Sequence, residues 1–209
     1  MKSYSAVVRI WFLSLVVCAA AVALSFVALD VPLAHHLWRV SHHLGPLSVV
    51  FGATTLLSLE AIVVLGLIVS RLTRGHLSRI GEAVAIACLA SICAYGINDQ
   101  VLKPFFGVQT PGDVMHGARH AFNLAMGLAN ASFPSGHMVL AGAFAGVFMR
   151  LYRVSIRPFS GLLLLAAGLL VLGDWHFVSD VIAGTFLGVS AGILAGEGWV
   201  VHVSTSSYG

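Results

Sequence analysis

The chain has 209 residues, 58% of them hydrophobic and 9% charged, with a net charge of +3 and a mean hydropathy of +0.95. A soluble domain of this size carries about 25% charge, so the polar surface is too small to coat a water-soluble globule. The basic residues do not cluster as a nucleic-acid surface requires.

Six apolar runs reach or approach the roughly 20 residues needed to cross a bilayer. Their expected bounds are Val7–Leu29, Leu47–Ser70, Ile80–Val101, Phe133–Leu151, Phe159–Asp174 and Asp180–Val201. Long continuous apolar runs argue for helices, because lipid leaves no partner for an open backbone. The expectation is all-α: one membrane-embedded helix bundle over residues 1–209. The first run reads as a retained helix rather than a signal peptide. Cys18, Cys88 and Cys93 lie in apolar runs without metal-ligand spacing and read as small core residues.

Lys2, Arg9, Arg71, Arg74, Arg79, Arg150, Arg153 and Arg157 fall on one side of these spans, and Arg39, Lys103 and Arg119 on the other. The positive-inside rule then puts both termini in the cytoplasm. Short loops suggest a bacterial inner membrane with a periplasmic site. Between the first two spans, His35, His36, Trp38, Arg39, His42 and His43 suggest an interfacial amphipathic helix anchored by Trp38. The last span carries Gly184, Gly188, Gly192 and Gly196, a smooth stripe that lets another backbone approach closely. Two uses are open: packing against Gly142 and Gly146 of the fourth span, which brings His137 near Asp180, or a homodimer.

Three polar places fall on the outward side: Asn98, Asp99 and Lys103; Pro134 to His137; and His176 with Asp180. Polar groups at membrane depth mark function. A carboxylate beside an imidazole fixes its tautomer and frees the other ring nitrogen as a nucleophile. The amides of Ser135 and Gly136 precede a helix, where unsatisfied donors hold anions. His137 can give a proton to a leaving oxygen, and Lys103 supplies positive charge. These are the parts of phosphoryl transfer without a metal or cofactor. Glu60, near mid-span, and Glu82 give weaker support to a transporter.

The pattern over about residues 95–185 resembles the PAP2 superfamily, whose motifs are Lys-x6-Arg-Pro, Pro-Ser-Gly-His and Ser-Arg-x5-His-x3-Asp. The chain carries Lys103 and Pro111, the complete Pro134 to His137, and His176 with Asp180. The resemblance implies that His176 is the nucleophile, Asp180 its orienter and His137 the acid, with Lys103, Ser135 and Gly136 on the phosphate oxygens. Thr110 and Leu170 stand where the motifs have arginine, and Leu169 where they have serine. Arg119 is the expected substitute cation, with His116, His120 and Gln109 behind it. The expected activity is a membrane lipid phosphatase acting on a phosphomonoester or pyrophosphate. The alternatives are a diesterase or headgroup transferase, which needs fewer cations, and a non-catalytic lipid-binding member.

Overall fold

A computed structural model describes residues 2–41, 52–125, 127 and 131–206. Among the described residues the α-helices of five residues or more are, in chain order, α1 Lys2–Ala28, α2 Asp30–Ser41, α3 Ala53–Arg74, α4 Arg79–Ile97, α5 Pro111–Met115, α6 Gly136–Leu151, α7 Ile156–Leu172 and α8 Val178–Ser206. The described residues contain no strand. The six expected spans correspond to α1, α3, α4, α6, α7 and α8. The start expected for the second span, and His42 and His43, lie outside the described residues.

Among the described residues, five helical stretches are long and apolar enough to cross a membrane, and α6, with 16 residues, is shorter. The reason is its position. α6 is the central helix, with Met138, Val139, Leu140, Ala143, Ala145 and Val147 all buried. The lipid-facing helices instead expose their large apolar side chains, as at Val17, Leu24, Ile62 and Leu164. Without a hydrophobic drive between helices in lipid, close backbone packing has to hold α6 in place.

The glycine stripe supplies that packing. A Cβ on Gly184 would lie 2.5 Å from Ser135 O, on Gly188 2.5 Å from Val139 O, and on Gly192 2.1 Å from Ala143 O. From the other side, a Cβ on Gly146 would lie 2.5 Å from Val189 O. Of the two uses open in the sequence, the structure shows the contact within the chain: α6 lies directly against the stripe.

Helix ends follow local chemistry. α3 stops at Gly75, whose φ of 77° suits glycine and whose N–H bonds to Arg71 O. Ser78 caps α4, its side chain accepting from Gly81 N, and Glu82 sits in that first turn, where a helix N-terminus favours a carboxylate. Glu60 of α3 has a partner that the sequence did not name, the Ser91 hydroxyl of α4 at 2.9 Å; Ser91 also reaches Leu140 O of α6 at 3.0 Å. These bonds link three helices through one buried serine. Only Cys88 is buried as a core residue; Cys18 is half-buried and Cys93 exposed.

α2 is a helix as expected, with His35, His36 and Arg39 exposed. Trp38 meets the ring of His116 edge-on at 5.5 Å, which ties α2 to the connection between α4 and α6.

Candidate active site

Three helix termini converge at one end of the bundle. α4 does not stop at Ile97. It passes through a π turn, Asn98–Leu102, closed by the Lys103 N–H bonded to Asn98 O, and continues over Lys103–Phe106. In an α-helix, Asn98 and Lys103 would point about 140° apart at 3.6 residues per turn. The wider turn brings them toward one side, and such turns recur at functional sites. Buried Asn98 donates from Nδ2 to Pro134 O at 3.1 Å, so the end of α4 fixes the entry to α6. Lys103 Nζ lies 3.5 Å from Asp99 Oδ1.

At the start of α6, Ser135 is the N-cap, its Oγ accepting from Met138 N at 3.4 Å. Its own N–H donates to the Asp180 carbonyl at 3.1 Å. Gly136 opens the first turn, where N–H groups have no partner within the helix. A Cβ there would lie 2.9 Å from Tyr95 Cε2 and 3.6 Å from Lys103 Nζ. Glycine therefore makes room for the Tyr95 ring, while Lys103 Nζ lies beside the same first turn, and the ammonium and the turn make a compact place for an anion.

His176 stands in the turn before α8, not on the helix. Trp175 N and His176 N both donate to Leu170 O, at 3.0 and 3.3 Å, and Asp174 takes a φ of 55° to close this turn. Asp180 lies in the first turn of α8 and is fully buried. Its Oδ2 accepts from Phe177 N at 2.9 Å and from Ser132 Oγ, and faces His176 Nδ1 at 3.4 Å. The opposite nitrogen of that ring, Nε2, lies 3.2 Å from His137 Nδ1, the rings crossing at 73°. Asp180, His176 and His137 thus form one line, with a carboxylate on Nδ1 of the central ring and a second imidazole on its Nε2.

Asp174 is 8% exposed and its Oδ2 has no hydrogen-bond partner. Burial pushes its carboxyl up to about 6.

The structure brings His137, His176, Asp180, Lys103, Ser135 and Gly136 to one end. It leaves Arg119 exposed, without a hydrogen bond or ion pair among the described residues. Thr110 caps α5 in a reciprocal pair with Asp113. Leu170 packs with Met138 and Val181 in the core between α6, α7 and α8. His120 turns away from a substitute-cation role: its Nε2 lies 3.3 Å from Asp30 Oδ2. Two polar groups beside the line escaped the sequence reading. Ser132 sits just before the Pro134 motif. Asp30 directly follows the first expected span, Val7–Leu29, and an acid between two apolar helices is itself a signal.

No curated protein and no solved structure matches the chain. The family model described as PAP2 superfamily matches residues 83–200, from α4 through most of α8 and across every group of the line. The chain belongs to the PAP2 superfamily.

Proposed function

We propose that the chain is an integral membrane lipid phosphatase that cleaves a phosphomonoester or pyrophosphate through a phosphohistidine on His176. The observation that carries this reading is the line Asp180–His176–His137, with Nδ1 of the central ring on a buried carboxylate and Nε2 facing the second histidine. Asp180 holds the Nδ1 proton and leaves the Nε2 lone pair for attack. That lone pair forms the N–P bond as the P–O bond to the lipid breaks, and His137 gives its proton to the leaving oxygen. In the second half, water gives a proton to His137 as its oxygen attacks phosphorus. The N–P bond breaks and phosphate leaves. A phosphoryl group attacked at Nε2 takes the place of the 3.2 Å contact, so the two rings move apart on binding. Lys103 and the first-turn amides of α6 hold the phosphoryl oxygens. With the termini in the cytoplasm, the site meets headgroups at the periplasmic face, and the lipid chains lie along the exposed apolar helices.

A second reading, transfer or hydrolysis of a phosphodiester headgroup, draws on the poverty of cations. Lys103 is already shared with Asp99 at 3.5 Å, and a diester brings one negative charge rather than nearly two. Phosphate release from a panel of lipid monoesters by the purified protein in detergent tests the first reading. Release that vanishes in His176→Ala supports it. Silence on every monoester, with label moving from a diester to an acceptor lipid, replaces it with the second.

A further inference from the structure

Beside the reacting line lies a second unit built from the same parts. Asp30, at the junction of α1 and α2, is fully buried. Its Oδ1 accepts from Ser179 N at 3.1 Å and its Oδ2 from Ser179 Oγ at 2.5 Å. The Nε2 of His120, from the connection between α5 and α6, lies 3.3 Å from the same Oδ2. Carboxylate, serine hydroxyl, a backbone amide at the start of α8 and an imidazole recur here as around Asp180, but His120 meets its carboxylate as a close polar contact without hydrogen-bond geometry.

The two units share a backbone. Phe177 N is held by Asp180, and Ser179 N, two residues on, by Asp30. Both carboxylates therefore satisfy amides at the start of α8, which would otherwise be open. His120 is also packed from both sides, stacked on Phe26 at 4.1 Å and tilted against Phe177 at 4.3 Å. Phe177 is the residue after His176 and is buried. Asp30 and His176 line one small cavity with Leu33, Ala34 and Phe177. None of these contacts reaches the anion place by Lys103 and Gly136.

A buried carboxylate is costly unless paired and hydrogen-bonded, and this one takes its partners from two separate segments. We propose that Asp30, Ser179 and His120 form a polar clasp that positions the His176–Asp180 turn and holds the His120 ring against Phe177. Asp30 and His120 are positioning residues: they act on His176 through Ser179 and Phe177. The proposal deepens the phosphatase reading, and its structural half stands without it.

The test uses His120→Phe, which keeps a ring between Phe26 and Phe177 but removes the partner of Asp30. Ser179→Ala is the gentler second variant, since its amide bond to Asp30 stays. Two readouts are taken on the full chain in detergent: steady-state phosphate release, and the rate at which diethyl pyrocarbonate modifies His176, mapped by peptide mass spectrometry. Exposed His35 and His36 serve as internal standards. Misplacing the nucleophile predicts a fall in kcat of roughly tenfold to a hundredfold in His120→Phe, with KM unchanged. Ser179→Ala should show a smaller fall in kcat. Modification of His176, but not of the standards, should rise severalfold. If the wild type releases no phosphate yet His176 modification rises in the variant, the phosphatase reading fails and the clasp stands. If both variants keep wild-type kcat and wild-type His176 modification, the clasp is wrong.

Discussion

The amide of Ser135 bonds to the carbonyl of Asp180 at 3.1 Å, so the first turns of α6 and α8 are locked together by backbone alone. The Asp180 side chain is free of that duty and serves His176, Phe177 and Ser132. Asp180→Asn should therefore keep the helix pair and lose the charge that stabilises the His176 imidazolium. The expected result is a fall in kcat of order a thousandfold or more with little change in Tm. A Tm loss as large as the activity loss would show that the carboxylate is structural.

The second prediction separates the two histidines. His137→Asn removes the proton donor and should lower turnover of a lipid monoester by about 10² to 10⁴. An aryl phosphate, whose leaving group needs no proton, should still phosphorylate His176 in the same variant and release one aryl alcohol per site in a fast burst before the slowed second half. His176→Ala should abolish both burst and turnover. Loss of the aryl burst as severe as the loss on the lipid would remove His137 from the role of acid.

A third concerns packing. Gly192→Leu drives a side chain into the Ala143 carbonyl, where even a Cβ would stand at 2.1 Å, whereas Gly198 has nothing within 4 Å. Overpacking costs about 1–3 kcal/mol where a core can yield, and here the obstacle is backbone on both helices. Gly192→Leu should cost at least the upper end of that range and carry activity away with it. Gly198→Leu should leave Tm and activity near wild type, as thermal unfolding in detergent would record.

Asp174 gives a pH-dependent prediction. Its carboxyl stands at about 6 in the folded chain, against an ordinary value of 3.8. Below 3.8 both states hold the proton and the residue is neutral to stability. As pH rises from there toward 6 the unfolded chain releases its proton more readily, so stability falls and then stays lower. Linkage puts the loss at roughly 2–3 kcal/mol above pH 7. Asn tolerates the left-handed backbone at this position, so Asp174→Asn should raise Tm at pH 7.5 and leave it unchanged near pH 4. A gain of the same size at both pH values would contradict the burial account.

The sequence carried the helices because lipid admits so few alternatives, and it carried the stripe of Gly184 to Gly196 because spacing of four maps directly onto one helix face. It also brought His137, His176 and Asp180 to one end, since a side count of lysines and arginines suffices for that. Other features had no local signature. The π turn at Asn98–Leu102, with Asn98 bonded to Pro134 O, was not read from the sequence. The start of α8 at Val178 leaves His176 in a turn, where Leu170 O rather than helix periodicity aims it. The pairing of Asp30 with Ser179 joins residues 149 apart in sequence, and nothing short of the folded bundle brings them together. Arg119 as a substitute cation was an argument from need, and the structure leaves that side chain exposed.

The most direct test of the central claim is a covalent trap. His137→Asn, incubated with an aryl phosphate carrying labelled phosphate and quenched in alkali, should accumulate label on the peptide containing His176, because its leaving group departs without a proton while the second half is slowed. That label should be stable in base and lost in acid, as a phosphohistidine is, and absent from the His137→Asn/His176→Ala double variant. Label that persists without His176, or turnover by the wild type with no acid-labile label in any variant, would contradict the account.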